Sequence, residues 1–428
     1  MISEKEYASR RKRVAKELKS NSIAVIFAAD NKVRSNDTHY PYRQNSHFYY
    51  LSGFKEDSSA LVIVKGKKAF ESFLFVHKKD PKEELWNGKR LGVKEAKKRF
   101  HVDDVFTYDT LNVKLKELMQ DKKALYYDFS LEYSKVKVLK RYTKSFVAIY
   151  NLSHIVQKMR LIKSPAEIAL IKHAIAITKE AHHQAMQKAA SLNYEYELQA
   201  EIEYVFKKNG AYSDAYTSIV ACGDNANTLH YINNDAKLQK KQLILIDAGC
   251  EYQYYASDIT RTIPSDGSFT QAQKELYSAV LSVQKQIIQM IRPGVLRSQL
   301  QKKSQELLCQ ALKELGIIQT GKKKCMKKEL FKKYYPHGIG HWMGLDVHDE
   351  APYKDEKNKE IPLQEGMVLT IEPALYIAQD DTKVAKKYRG IGIRIEDDIL
   401  ITATGYENLS CDIVKEIDEI EALSSTSF

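Results

Sequence analysis

Several short apolar segments in the second half of this chain end on, or carry, a charge, and this pattern most constrains the fold. LILID at 243–247 is apolar until Asp247. In MVLTIEPALY (367–376), strand alternation puts Val368, Thr370 and Glu372 on one face and Leu369 and Ile371 on the other. In IGIRIEDDILIT (391–402), Ile391, Ile393 and Ile395 form an apolar face, so Gly392, Arg394 and Glu396 share the opposite one. Asp258, in YASDITRT, follows Asp247 beyond a turn at Gly249. The two aspartates are therefore expected on adjacent antiparallel strands facing one pocket. A single carboxylate at a strand end is ordinary. Four in an otherwise apolar domain repel one another and are costly to ionise. Divalent cations relieve that cost, and oxygen-rich donor sets suit hard metals such as manganese or magnesium.

Histidine usage sharpens the reading. His337, His341 and His348 cluster in HGIGHWMGLDVHDE. The spacing of His337 and His341 imitates a helical zinc pair, but Gly338 and Gly340 disfavour a helix, and the glutamate of the His-Glu-x-x-His motif is absent. A glycine-rich loop that presents histidines to a pocket is expected instead. His230, in NTLHYIN, is a weaker candidate by itself.

The chain has 428 residues, enough for roughly two or three domains. Ile23–Ala29, 60–64 and 73–77 read as strands, with helices over 4–20, 94–100 and 112–120, so an α/β domain is expected first. In LIKSPAEIALIKHA, Ser164 is placed to cap a helix, Pro165 suits its first position, and Glu167 completes a capping box. That helix is expected to reach about residue 190, with further helices over 194–208 and 270–291.

Five scattered cysteines without a Cys-x-x-Cys pair argue against a disulfide framework and a structural zinc site, and for a reducing compartment. The charged N-terminus lacks a signal-peptide pattern, and no apolar run matches a membrane span, so a cytoplasmic protein with no membrane association is expected. The net charge is +12, with a dense run at Lys322, Lys323, Lys324, Lys327, Lys328, Lys332 and Lys333. The run carries no nucleic-acid motif and reads as an exposed helix or loop, with no nucleic-acid partner expected.

Taken in order and spacing, Asp247, Asp258, His341, Glu372 and Glu396 resemble the five metal ligands of the pita-bread metallopeptidases. SNDTHYPYRQNSHFYYLSGF (35–54) and ELWNGKRLG (84–92) resemble the opening domain of the aminopeptidase P branch. The resemblance implies an α/β (α+β) chain. An N-terminal creatinase-like α/β domain would span 1–157 and a C-terminal pita-bread catalytic domain 158–428. Two departures are visible, Ala374 and Ser257, where the family often has glycine.

The resemblance also implies a chemistry, release of the N-terminal residue from peptides with proline second. Asp258 and Glu396 would bridge two divalent ions per subunit, with Mn2+ favoured. Asp247 would complete one metal site, and His341 with Glu372 the other. A hydroxide shared by the ions would attack the scissile carbonyl, and Glu372 would carry the proton to the leaving nitrogen. His230 and His348 would hold the carbonyl oxygen, and His337 and Tyr376 would line the proline side. Arg394 would offset the residual negative charge. Asp37 and Trp86, in the segments resembling the opening domain, are further substrate-binding candidates. An aspartate in the Asp37 segment can reach a neighbouring subunit in the family, so a homotetramer or homodimer is expected. The alternatives are a prolidase restricted to Xaa-Pro dipeptides and a non-catalytic pita-bread protein that binds partners.

Overall fold

Strand Ser22–Phe27 is buried at every position, so it must be covered on both faces and flanked on both edges. It occupies an inner position of a six-stranded sheet ordered 104–107, 70–76, 60–65, 22–27, 124–127, 148–151. Its pairing with Ala60–Lys65 is antiparallel and with Ala124–Tyr127 parallel. Helix Glu4–Glu17 starts where the Ser3 side chain accepts from the Glu6 amide. Arg11 of that helix is buried and donates to the carbonyls of Leu51 and Phe100, at 2.9 and 2.8 Å. In the computed structural model, residues 1–143 and 146–425 are described. They form two compact units, Met1–Met159 and Arg160–Phe428.

The second unit is built from long helices around short antiparallel sheets. Helix Pro165–Lys188 opens with the Ser164–Glu167 capping box, and Glu195–Lys208, Gln271–Gln289 and Arg297–Glu314 follow. One sheet runs Ile219–Cys222, Leu243–Asp247, Thr260–Pro264, a second runs Val368–Ile371, Asp397–Ile401, Tyr406–Asn408, and Ala374–Ile377 pairs with Ile391–Arg394. Arg261 joins these layers. It is fully buried and donates to the carbonyls of Thr260 and Glu396, at 2.9 and 2.6 Å, and to Asp397 Oδ1 at 2.8 Å. A buried guanidinium persists only where its donors are satisfied, and here they close around the strand ends that carry Asp258 and Glu396.

Two details differ from expectation. Asp258 lies just before strand Thr260–Pro264, and it is Thr260 that registers opposite Asp247. Cys309 and Cys325 form a disulfide, with Cα atoms 5.9 Å apart. Helix Arg297–Glu314 doubles back on helix Lys322–Lys327, so a pair distant in sequence meets through helix packing. With two of the five cysteines paired, cysteine usage no longer argues for a reducing compartment. Among the described residues, no helix is long and apolar enough to cross a membrane.

The segment 341–349 is tied down at its far end by Asp349. This buried carboxylate receives Lys163 Nζ at 3.0 Å and also the Arg160 guanidinium, which reaches Asp346 at 2.5 Å. Burial alone would raise the Asp349 pKa, but the Arg160 and Lys163 charges outweigh it and hold the group down at about 2. A depressed folded pKa contributes stability that is complete above the unfolded carboxylate value, about 3.9, and is lost as pH falls through about 2. Asp349→Asn removes the buried counter-charge of Lys163 and one of the carboxylates on Arg160, and is expected to cost about 3–5 kcal/mol at neutral pH, read by denaturant unfolding. The gap to wild type should narrow below about pH 4; a gap constant down to about pH 2 would refute this account.

Candidate active site

Glycine sets the position of the histidine loop. A Cβ at Gly340 would lie 1.8 Å from the Thr370 carbonyl oxygen, so only glycine lets the loop press against strand Val368–Ile371. That approach is held by three hydrogen bonds. Thr370 N donates to His341 O at 2.9 Å, Glu372 N to Ile339 O at 2.9 Å, and His341 N to Thr370 Oγ1 at 3.1 Å. The loop thus extends the sheet and sets the His341 imidazole beside the Glu372 carboxylate, with Nε2 3.9 Å from Oε1. Gly249 plays the same part for the aspartates. Its Cβ would meet the Ser257 carbonyl oxygen at 1.9 Å, which brings the Asp247 and Asp258 segments together.

These elements enclose a cavity of about 430 Å³. Asp247, Asp258, His341, Glu372 and Glu396 all line it, as do His230, His337, His348 and Arg394. Ligand atoms of Asp258, His341 and Glu396 lie within 4.8 Å of one another. His341 Nε2 is 3.2 Å from Asp258 Oδ2, and its ring centroid is 4.1 Å from that of His348. Tyr376 lines a smaller adjoining cavity and is tied to the first by its hydroxyl, 3.0 Å from His337 Nε2. Asp37 and Trp86 belong to the N-terminal unit, where both are exposed, Trp86 by 85%.

Arg394 connects the charged wall to the aromatic one. Its Nη2 donates to Asp247 Oδ2 at 2.6 Å, its Nη1 to the Tyr376 hydroxyl at 2.8 Å, and its Nε to Thr260 Oγ1 at 3.0 Å. Thr260 Oγ1 in turn donates to Glu396 Oε2 at 2.7 Å.

Sequence reasoning passed over Tyr216. Its hydroxyl lies 2.6 Å from Asp247 Oδ1 and 2.7 Å from Asp258 Oδ1, bridging the two aspartates. Asp398 was also missed; its Oδ2 accepts from the Asp258 amide at 3.1 Å. Tyr216 stands in SDAYTSIV, which has no periodic signal. Asp398 was masked by the adjacent acids of IEDD.

The electrostatics are those of a site short of positive charge. Burial raises the Glu396 pKa well above the ordinary range, and Asp258, Glu372 and Asp247 add to it against Arg394. Burial pushes Glu372 up to about 7, although His341 and Arg394 pull the other way. Asp247 is also raised, by burial first and then by Asp258, while Arg394 opposes both. Burial disfavours charge on His341, yet Asp258 and Glu372 outweigh it and hold the imidazole up at about 9. His337, buried and near Arg394, is pushed down to about 4 and is neutral at physiological pH. The donor set therefore fits divalent cations. Oxygen atoms dominate, one imidazole joins them, and the carboxylates crowd without sufficient counter-charge.

A buried cluster of carboxylates and imidazole with one arginine behind it defines a metal-dependent hydrolytic centre. Residues 169–403 match the model of metallopeptidase family M24, and residues 7–126 match the aminopeptidase P N-terminal domain. The chain is 38% identical over 422 residues to the Xaa-Pro aminopeptidase of Haemophilus influenzae, covering 99% of this chain and 97% of that one. It is 39% identical over 434 residues to the Xaa-Pro aminopeptidase of Escherichia coli, covering 99% and 98%. The solved structure of E. coli aminopeptidase P with the inhibitor Pro-Leu superposes with a TM-score of 0.95 at 38% identity, covering 99% of this chain and 98% of that one. The chain belongs to metallopeptidase family M24, with the N-terminal domain of its aminopeptidase P branch and the pita-bread fold in its C-terminal unit.

The close packing at Gly340 can be tested directly. Gly340→Ala forces its methyl group into the Thr370 carbonyl and is expected to lower stability by about 1–3 kcal/mol. Gly338→Ala, whose Cβ would meet nothing nearer than 3.7 Å, should cost clearly less in the same unfolding titration. Equal losses would show that the contact does not set the loop.

Proposed function

We propose that this chain is a metal-dependent Xaa-Pro aminopeptidase that hydrolyses the bond between an N-terminal residue and a following proline. The observation that carries the reading is the convergence of four carboxylates and His341 in one cavity that His337 and Arg394 also line, both hydrogen-bonded to Tyr376 of the adjoining cavity. The names of relatives alike over almost the whole chain support it. Asp247, Asp258, His341, Glu372 and Glu396 would hold two divalent ions, manganese being the proposed metal because the donor set is mostly hard oxygen. When bound, such ions supply Lewis acidity and activate water at neutral pH.

The chain's own residues orient the reaction around that centre. Glu372, buried beside His341, takes the proton of the attacking water on its carboxylate and hands it to the proline nitrogen as the C–N bond breaks. His230 and His348 line the cavity as donors to the carbonyl oxygen, where negative charge grows in the transition state. Arg394 fixes Asp247 on one side and the Tyr376 hydroxyl on the other, so the acidic and aromatic walls keep one spacing. A Xaa-Pro bond has no N–H to satisfy and a fixed ring to seat. The Tyr376 and His337 rings, with Leu229 between the two cavities, offer an apolar wall for it. Asp247 is the proposed anchor for the free α-amine. Cytoplasmic location and assembly as a homodimer or homotetramer complete the proposal, the latter resting on the Asp37 segment.

The test is hydrolysis by metal-stripped protein with manganese restored. A Xaa-Pro-Yaa tripeptide should lose its first residue only when metal is present, while a Xaa-Pro dipeptide and a Met-Ala-Ser tripeptide are spared. Cleavage of the dipeptide alone would make the chain a prolidase, and no cleavage with any divalent metal would leave a non-catalytic binding protein. Glu372→Ala should keep the wild-type circular dichroism spectrum and lose about 10²–10⁴-fold in kcat. Near-normal turnover in that variant would remove Glu372 from the proton transfer.

A further inference from the structure

The lysine run plays no part in the chemistry above, yet it borders the site. Helix Lys322–Lys327, the single turn Leu330–Lys333 and Lys328 between them carry seven lysines, all exposed, and in this stretch only Glu329 is acidic. The face is held in place from beneath. Cys325 is buried in its disulfide with Cys309, and Phe331, Tyr334 and Tyr335 are buried under the turn. The lysines therefore stand on a fixed surface. Lys332 pairs with Glu329 at 2.6 Å, whereas Lys322, Lys323, Lys324, Lys327 and Lys328 have no ion pair among the described residues.

This face runs into the cavity. Lys333 lines the smaller cavity, of about 120 Å³, together with Leu229, Tyr334, Tyr376 and Asp381. Leu229 also lines the main cavity, and Tyr376 touches His337 of that cavity. Lys333 Nζ is held 2.5 Å from Asp381 Oδ2, and Asp381 also receives the Tyr334 hydroxyl at 3.1 Å, so this one acid is occupied. Along the chain from Lys333 back to Lys322, the lysines are exposed and Glu329 is the only acid.

An exopeptidase that cuts after one residue keeps only that residue and its α-amine at the inner end, and the rest of the peptide must leave through the mouth. Charges lining such a mouth focus their field on whatever emerges. We propose that the lysine-rich face from Lys322 to Lys333 receives the peptide downstream of the proline and selects substrates carrying acidic residues there. The inference rests on the Xaa-Pro aminopeptidase reading and adds a substrate class to it. The negative charges of the substrate complement the lysines, whereas a basic tail is repelled. Because the lysines are exposed, the effect is screened by salt and is carried mainly by KM.

The experiment compares three hexapeptides that begin Ala-Pro-Ala and end in three glutamates, three glutamines or three lysines, using manganese-loaded full-length protein. At low ionic strength kcat/KM for the glutamate peptide should exceed that for the lysine peptide by about tenfold, with the glutamine peptide between them. At about 0.5 M salt the ratio should fall to about twofold or less. In a Lys323→Glu, Lys327→Glu, Lys328→Glu variant the low-salt ratio should collapse or invert. The ratio is internal to each protein sample, so a loss of folded material does not disturb it. Equal rates for the three peptides overturn the inference, as does a preference that survives both salt and the triple change. Equal rates accompanied by a salt-sensitive shift of duplex DNA would assign the face to nucleic acid instead. Failure to cut even the glutamine peptide would be a failure of the aminopeptidase reading, distinct from a failure of this one.

Discussion

Asp247, Asp258, Glu372 and Glu396 are brought into one cavity, with the Arg394 guanidinium against Asp247 and the His341 imidazole against Asp258 and Glu372. Repulsion among them is the constraint that the rest of the C-terminal unit answers. Carboxylates on mobile elements would swing apart towards water, because solvation of each is worth more than proximity to the others. Each is instead placed at or just beyond the end of a strand whose other positions are buried. The supporting bonds act on those ends. Arg261 closes on the Glu396 carbonyl and on Asp397, Asp398 accepts from the Asp258 amide, and Thr260 donates to the Glu396 carboxylate. Tyr216 spans Asp247 and Asp258. A cation-binding site formed in this way is preorganised by the fold, so bound metal adds counter-charge to carboxylates already gathered.

Backbone proximity does the remaining positioning, and it explains why glycine recurs beside the ligands. Gly249 and Gly340 each lie against a carbonyl oxygen of the neighbouring segment, closer than any side chain allows. Both contacts bring a ligand-bearing segment within reach of its partner, Asp247 towards Asp258 and His341 towards Glu372. The glycines of HGIGH therefore set the depth of the loop. Flexibility is a poorer account of them, since the loop is hydrogen-bonded on both sides of Gly340, to Glu372 before it and to Thr370 after it.

The acids at the strand ends were legible because alternation is a local property. A period of two sorts Arg394 and Glu396 from Ile393 and Ile395 without knowledge of the fold. The Ser164–Glu167 box was legible for the same reason, since its bonds span one helical turn. What escaped is what depends on segments distant in sequence. Tyr216 reaches its aspartates from before the strand Ile219–Cys222, and nothing in its neighbourhood marks the contact. The Cys309–Cys325 bond arises from one helix packing on another, and spacing rules for cysteine motifs are blind to it. Arg261 escaped for the same reason, since its five acceptors come from segments up to Val414 that only the fold brings near.

The excess of lysine over acid acquires a meaning once the cavity is seen as an acidic site. A peptide is itself bipolar, with an ammonium at the end to be cut and carboxylate charge elsewhere. A site that must hold the ammonium among carboxylates gains nothing from further acids at its mouth, because these would hold the peptide in the reverse sense. Under the proposal above, a lysine face that ends at Lys333, beside Tyr376 and Leu229, would impose the opposite polarity and align the peptide before it enters. Alignment by long-range charge needs no shape match and little ordering of the substrate, so it acts on rate of capture and on KM while the buried groups act on turnover.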